Sequence, residues 1–241
     1  MSSPVQRLAP LRDGERLTRE EFELRYHAMP EVKKAELIDG VVHMPSPVSL
    51  HGHGTPHFEI NGWLAVYRWQ TPYVIGANNA TVRLDLDNEP QPDLVLLIDP
   101  AHGGQASISA DDFIEQAPEL VVEVSSSTAA MDLTRKAELY RRNGVREYLL
   151  WNVPQGAIEW FVLRAGQFAR LQADAQGIWR SEVFPGLWLN AAALLRQDGA
   201  TLLTTLQQGL ASPEHAAFVT QLGETLGGPP PTLNPSNNPA T

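Results

Sequence analysis

Apolar positions recur along this chain at two spacings. From Phe58 through Ile60, Trp63, Leu64, Val66 and Tyr67 to Trp69 the spacing is close to helical and predicts a helix over 51–69. Elsewhere the apolar residues form short unbroken runs: Leu94–Ile98 directly after Pro92-Asp93, Leu120–Val124 interrupted only by Glu123, and Tyr148–Trp151 after Glu147. Runs of this length, bounded by turn residues, read as strands covered on both faces. Between the second and third runs, Leu133, Ala137 and Tyr140 form an apolar stripe that stops at Gly144, which predicts a helix over 129–143 with Ser125–Thr128 as its cap. A helix joining two buried strands makes them parallel neighbours. The order helix, strand, strand, strand, helix, strand therefore predicts a mixed α/β sheet.

The flanks carry local signals. Residues 1–16 read as irregular, and Thr18-x-x-Glu21 reads as a capping box for a helix through His27. Residues 35–44 read as a hairpin turning at Asp39-Gly40. Tyr73 to Leu86 reads as strand-rich, with Val82, Leu84 and Leu86 alternating against Arg83 and Asp85, and 99–116 as a loop. Residues 158–163 and 167–171 form an expected hairpin, with 178–183 adding a third strand. Helices are expected at 191–196 and in parts of 201–225, with Ser212-Pro213 as cap and first-turn proline. The Pro- and Asn-rich segment 227–241 offers little apolar surface to bury and is expected to be a flexible tail.

Composition narrows the class. The 241 residues, 43% hydrophobic and 19% charged, suit a packed globular protein. Absence of cysteine excludes a disulfide framework, a thiol nucleophile and a Cys-based zinc site, and fits a cytoplasmic setting. No apolar run approaches the roughly 20 residues that span a bilayer, so no membrane partner is expected. A net charge of -10 argues against a constitutive, non-specific nucleic-acid coat. It leaves room for a nuclease, whose acids belong to that count, with Arg135, Lys136, Arg141, Arg142 and Arg146 as a local basic strip.

Asp93 opens one buried strand and Glu123 lies inside its neighbour, placements that cost desolvation energy unless a cation or proton compensates. Lys136 stands on the helix just beyond. Of eighteen cationic residues only Lys33, Lys34 and Lys136 are lysines, and a lysine is a compact charge where arginine is a planar fork. Two acids and a lysine suit a divalent metal and the water it activates. An inert pocket, with Glu123 paired to Arg135 or Lys136, is the alternative these residues leave open. A competing site is His51-x-His53-x-x-x-His57, whose density of imidazoles suits a zinc hydrolase, although a polar helix start or a helix lining the cleft fits the spacing better. Tryptophans 63, 69, 151, 160, 179 and 188 could stack bases, but their scatter over strand and helix positions favours core packing.

Pro92-Asp93, Pro118-Glu-Leu-Val-Val-Glu-Val-Ser125, Asp132-x-x-x-Lys136 and Tyr140-x-x-x-Gly144-Val-x-Glu-Tyr148, in this order, resemble the Uma-type restriction endonuclease family of the PD-(D/E)xK nuclease superfamily. Ala35-Glu-Leu-Ile-Asp-Gly40 and Phe184-Pro-Gly-Leu187 look like further landmarks of it. The resemblance covers roughly 17–195, with 196–226 left as a helical extension. It implies a restriction-endonuclease-like αβββαβ core, with Asp93 and Glu123 as the motif acids, Glu36 as an early acidic position and Lys136 as the lysine. The usual lysine position, two residues after the second acid, holds Ser125. The expected chemistry is Mg²⁺-dependent phosphodiester hydrolysis, with Mn²⁺ as a substitute and DNA as substrate. Asp93 and Glu123 would bind the metal, the Val124 carbonyl would be a further ligand, and Asp132 would position Lys136. A homodimer is expected because two strands are to be cut. A nuclease fold kept as an inactive nucleic-acid-binding or assembly module is the rival.

Overall fold

The structure is a computed structural model that describes residues 8–44, 47–126 and 130–225, with the backbone alone for 130–133. Its elements are α1 (Arg19–His27), the hairpin β1 (Glu36–Ile38) and β2 (Val41–His43), α2 (Thr55–Gln70), β3 (Val74–Asn78), β4 (Val82–Arg83), β5 (Leu94–Ile98), β6 (Ser107–Ile108), β7 (Ile114–Glu115), β8 (Leu120–Ser125), α3 (Ala130–Arg142) and β9 (Glu147–Asn152). Then follow β10 (Ala157–Arg164), β11 (Gln167–Arg170), β12 (Ile178–Arg180), β13 (Trp188–Asn190), α4 (Ala191–Leu195), α5 (Gly199–Leu210) and α6 (Pro213–Glu224).

The apolar runs become the middle of a six-stranded sheet in the order β11-β10-β9-β8-β5-β3. Strands β5 and β8 pair antiparallel, while β8 and β9 are parallel, with Glu123 opposite Leu150. The crossover between β8 and β9 is α3, as the sequence predicts, and α2-β3-β5-β8-α3-β9 is the αβββαβ order. Alternation along each strand divides the core. Leu94, Leu96, Val122 and Val124 face the layer that holds Trp63, Leu64 and Tyr67 of α2. Val95, Leu97 and Val121 face Leu139 and Tyr140 of α3. By the same alternation Glu123 falls on the α3 side.

The N-terminal signals hold. Thr18 and Glu21 cap α1 reciprocally, and Asp39 and Gly40 take positive φ (51° and 69°) at the tip of the first hairpin. That hairpin covers Phe22 and docks on the strand leading to Asp93 through Leu37–Glu89 backbone hydrogen bonds of 3.1 and 2.8 Å.

Several expectations need correction. The stretch 99–116 is not a plain loop, since β6 and β7 join β4 in a three-stranded sheet ordered β4-β7-β6. Alternation after β3 ends at Arg83 because Asp85 Oδ1 accepts from Asp87 N and Asn88 Nδ2, turning the chain and leaving Leu86 76% exposed. Strand β12 does not extend the β10–β11 hairpin but pairs with β13 in a separate two-stranded sheet. Helix α2 starts at Thr55, after a π-helical turn over Leu50–Gly54. Trp63, Trp151 and Trp160 are buried, as packing predicts, but Trp69 is 71% exposed. The expected helix cap at 125–128 falls partly, and the expected tail wholly, outside the described residues.

Candidate active site

Asp93 stands where β5 begins, beside the middle of β8. Its Oδ2 accepts from Val124 N at 2.8 Å, and its carbonyl accepts from Asn79 N at 3.1 Å. Its Oδ1 lies 3.5 Å from Lys34 Nζ and 3.6 Å from His53 Nε2. Glu123, one residue before Val124, turns toward α3. There Lys136 and Tyr140, one helical turn apart, both reach its Oε1, with Lys136 Nζ at 2.9 Å and the Tyr140 hydroxyl at 2.7 Å. Glu36 arrives from β1 of the docked hairpin, and its Oε1 accepts from Lys136 Nζ at 3.1 Å and from Gln91 N at 2.8 Å. One ammonium thus bridges two acids more than eighty residues apart in sequence.

Electrostatics assigns the charges. Burial tends to raise Glu36, but Lys136, Lys34 and the Gln91 N–H outweigh it and hold that carboxyl below its usual range. Burial, helped by Asp93 and Glu36, pushes Glu123 up against the pull of Lys136. Burial also works to lower Lys136, yet Glu123 and Glu36 prevail and raise it. Lys136 is therefore a cation here and has no lone pair to act as a base. Burial, with Glu123 and Glu36, keeps Tyr140 protonated and so a donor.

Of the residues expected from sequence, the structure brings Asp93, Glu123, Glu36 and Lys136 together. Val124 serves through its N–H, and its carbonyl lies 2.8 Å from His53 Nδ1, so the expected ligand is already hydrogen-bonded. The Asp132 side chain lies outside the described residues. The basic strip is largely neutralised within the fold: Arg135 and Arg142 pair with Asp39, Arg141 pairs with Glu138, and Lys136 faces its two acids.

The histidine cluster does not converge. His51 is exposed, whereas His53 and His57 stack with ring centroids 5.5 Å apart and turn to the acid site. His57 Nε2 lies 3.2 Å from the Asp93 carbonyl. Sequence reasoning gave no site role to Tyr140 or Lys34, and it read the histidine pair as part of a competing zinc site or of a helix lining the cleft. The signals were present: Tyr140 is four residues beyond Lys136, and Lys34 is among the three lysines.

Among the described residues no three His, Asp or Glu side chains are spaced to enclose an ion. The donor chemistry nevertheless fits a hard divalent cation held by few protein oxygens and several waters. A carbonyl can only accept, so the contact with Val124 O puts hydrogen on His53 Nδ1. In the neutral ring Nε2 then presents a lone pair to Asp93 Oδ1, and two acceptors 3.6 Å apart suit a cation between them.

A mixed sheet in αβββαβ order, with acids on two adjacent strands and a lysine from the crossover helix, defines the restriction-endonuclease-like class. The chain belongs to the family described as "Uma2: Putative restriction endonuclease", whose model matches residues 19–192. It is similar in fold to a solved "putative nuclease belonging to DUF820" from Anabaena variabilis ATCC 29413, at 14% identity and a TM-score of 0.53, over 71% of this chain and 96% of that one. No protein of curated function matches the chain.

Proposed function

We propose that the chain is a divalent-metal-dependent endonuclease that hydrolyses DNA phosphodiester bonds, working as a cytoplasmic homodimer. The observation that carries this reading is Lys136 Nζ held 2.9 Å from Glu123 Oε1 and 3.1 Å from Glu36 Oε1, next to the Asp93–Val124 hydrogen bond. Asp93 and Glu123 would hold Mg²⁺, or Mn²⁺ in its place, with Glu36 alongside. When bound, that ion supplies charge neutralisation at phosphorus and a more acidic water.

The chain's own groups supply orientation. Lys136, kept protonated, donates toward the attacking water and toward charge developing on the phosphate oxygens. Its origin on α3 replaces the lysine missing at Ser125. Tyr140 and the Gln91 N–H fix the rotamers of Glu123 and Glu36, so these carboxyls meet the substrate without reorganising. His53 fixes Val124, which in turn fixes Asp93.

The test is incubation of plasmid, single-stranded DNA and RNA with Mg²⁺ or Mn²⁺, against EDTA, for wild type, Glu123→Ala and Lys136→Ala. Metal-dependent DNA cleavage lost in both variants supports the reading. Cleavage that survives Glu123→Ala removes this site. Metal-independent binding without cleavage assigns the chain to nuclease-fold binding modules. Light scattering reads the dimer.

A further inference from the structure

A half-open cleft of about 380 Å³ lies between α2 and the edge strand β3. Asn61, Arg68 and Trp69 of α2 form one wall, and Gly76, Asn78 and Leu94 form the floor and far wall. Its size falls within the ~300–1,000 Å³ usual for a small-ligand site. One end, on the α2 face of the sheet, lies near the Asp93 backbone, whose carbonyl is 3.2 Å from His57 Nε2. Leu94 follows Asp93, Asn61 is one helical turn beyond His57, and Asn78 precedes Asn79, whose amide oxygen lies 3.4 Å from Lys34 Nζ. At the rim Trp69 is 71% exposed, although the other tryptophans are packed or partly packed.

Arg68 packs over Gly76, its Cγ 3.6 Å from where a side chain on Gly76 would begin. A residue larger than glycine there would also press within 3.1 Å of Leu96. Among the described residues no carboxylate pairs with Arg68, in contrast to Arg135, Arg141 and Arg142. An indole free to stack, an uncommitted guanidinium and two amides along a narrow trough make a set of contacts for a base and its phosphate. A trough of this volume is on the scale of a single small ligand and does not seat a duplex.

From this geometry we infer that the cleft is a subsite for one unpaired nucleotide next to the scissile phosphate, with Trp69 stacking on the base and Arg68 meeting a phosphate. The inference rests on the nuclease reading and deepens it: the substrate is single-stranded DNA, or duplex with an unpaired end or flap.

The test is fluorescence anisotropy in EDTA, where no cleavage interferes, with a labelled single strand, a flapped duplex and a blunt duplex. Trp69→Ala is expected to weaken binding of the single strand and the flap about tenfold and to leave the blunt duplex nearly unchanged. Arg68→Ala is expected to lower the salt slope for the single strand by about 0.7, and Arg68→Lys to restore it. Equal losses on all three probes, or no loss on the single strand, overturn the subsite. A change of oligomeric state in Trp69→Ala also overturns it, because the indole then belongs to a contact between copies. Cleavage assays separate the two readings. Nuclease activity indifferent to Trp69 on every substrate removes the subsite alone, while the expected binding pattern in a protein that never cleaves removes the nuclease and leaves the subsite.

Discussion

The backbone N–H of Val124 donates to Asp93 Oδ2 at 2.8 Å, so the peptide that carries one motif acid on its N-terminal side grips the other directly. The Asp93 carboxylate is therefore tied to the Glu123–Val124 peptide by a backbone-to-side-chain hydrogen bond, which fixes its rotamer relative to Glu123. Asp93→Asn keeps an oxygen for that N–H and loses only the charge, so its stability is expected to stay within about 1 kcal/mol of wild type. Asp93→Ala leaves a buried N–H without an acceptor and is expected to cost about 1–3 kcal/mol. Both should lose Mn²⁺ binding in calorimetric titration and lose cleavage. Normal metal affinity in Asp93→Asn would remove Asp93 from the ligand set.

Among the described residues Lys136 is the one cation paired with Glu123, and it also faces Glu36. Lys136→Met keeps the apolar stem and removes the charge, leaving two buried carboxyls without their ammonium. The expected cost is about 3 kcal/mol in urea unfolding, with cleavage reduced by about 10²–10³. Lys136→Arg should recover part of the stability and little of the activity, since a planar fork does not occupy the place of a compact ammonium. Full activity in the arginine variant would mean that any positive charge suffices there.

Much of this site was legible in the sequence because burial makes acids conspicuous. Asp93 opens one apolar run and Glu123 interrupts another, and Lys136 stands out in a chain with only three lysines. Helix periodicity gave α2 and α3, and the crossover gave the parallel β8–β9 pair. What stayed hidden depends on long-range contact. Tyr140 carries an apolar ring that fits the α3 stripe, and only the fold brings its hydroxyl to Glu123. Lys34 looks like a surface charge until the hairpin docks it beside Asp93. The histidines invited a zinc reading because their spacing is local, whereas their partners, Val124 and Asp93, are more than thirty residues away. The β12–β13 pairing and the β4-β7-β6 sheet were missed because strands of two or three residues carry too little periodicity to read.

Glu147 is buried at the start of β9, where burial pushes its carboxyl up to about 7 against hydrogen bonds from Ser181, the Glu182 and Val183 N–H groups and Trp160. Its pKa in the unfolded chain is near 4.5, so the folded state holds the proton more tightly. The linked stability is fully present below about pH 4.5 and is lost as pH rises through 7. Glu147→Gln sets an amide NH₂ against donors on one side, which is expected to cost about 1–3 kcal/mol at pH 5. That variant should also lose the decline between pH 5 and 8 that wild type shows in chemical denaturation. Identical pH slopes for the two proteins would remove Glu147 as the source.

Lys34 gives the sharpest separation between metal and substrate. Its Nζ lies 3.5 Å from Asp93 Oδ1, close enough to repel a divalent ion bound at that oxygen. The ammonium is about a quarter exposed, so solvent weakens the repulsion to about 1–2 kcal/mol. Lys34→Gln is therefore expected to tighten Mn²⁺ binding by roughly tenfold, as read by calorimetry. The same variant should raise KM for DNA, because a cation that opposes the metal also attracts the phosphate the metal serves. Opposite movement of the two constants is the signature of a residue placed for substrate, and a Mn²⁺ affinity that falls together with DNA affinity would show instead that Lys34 holds Asp93 in place.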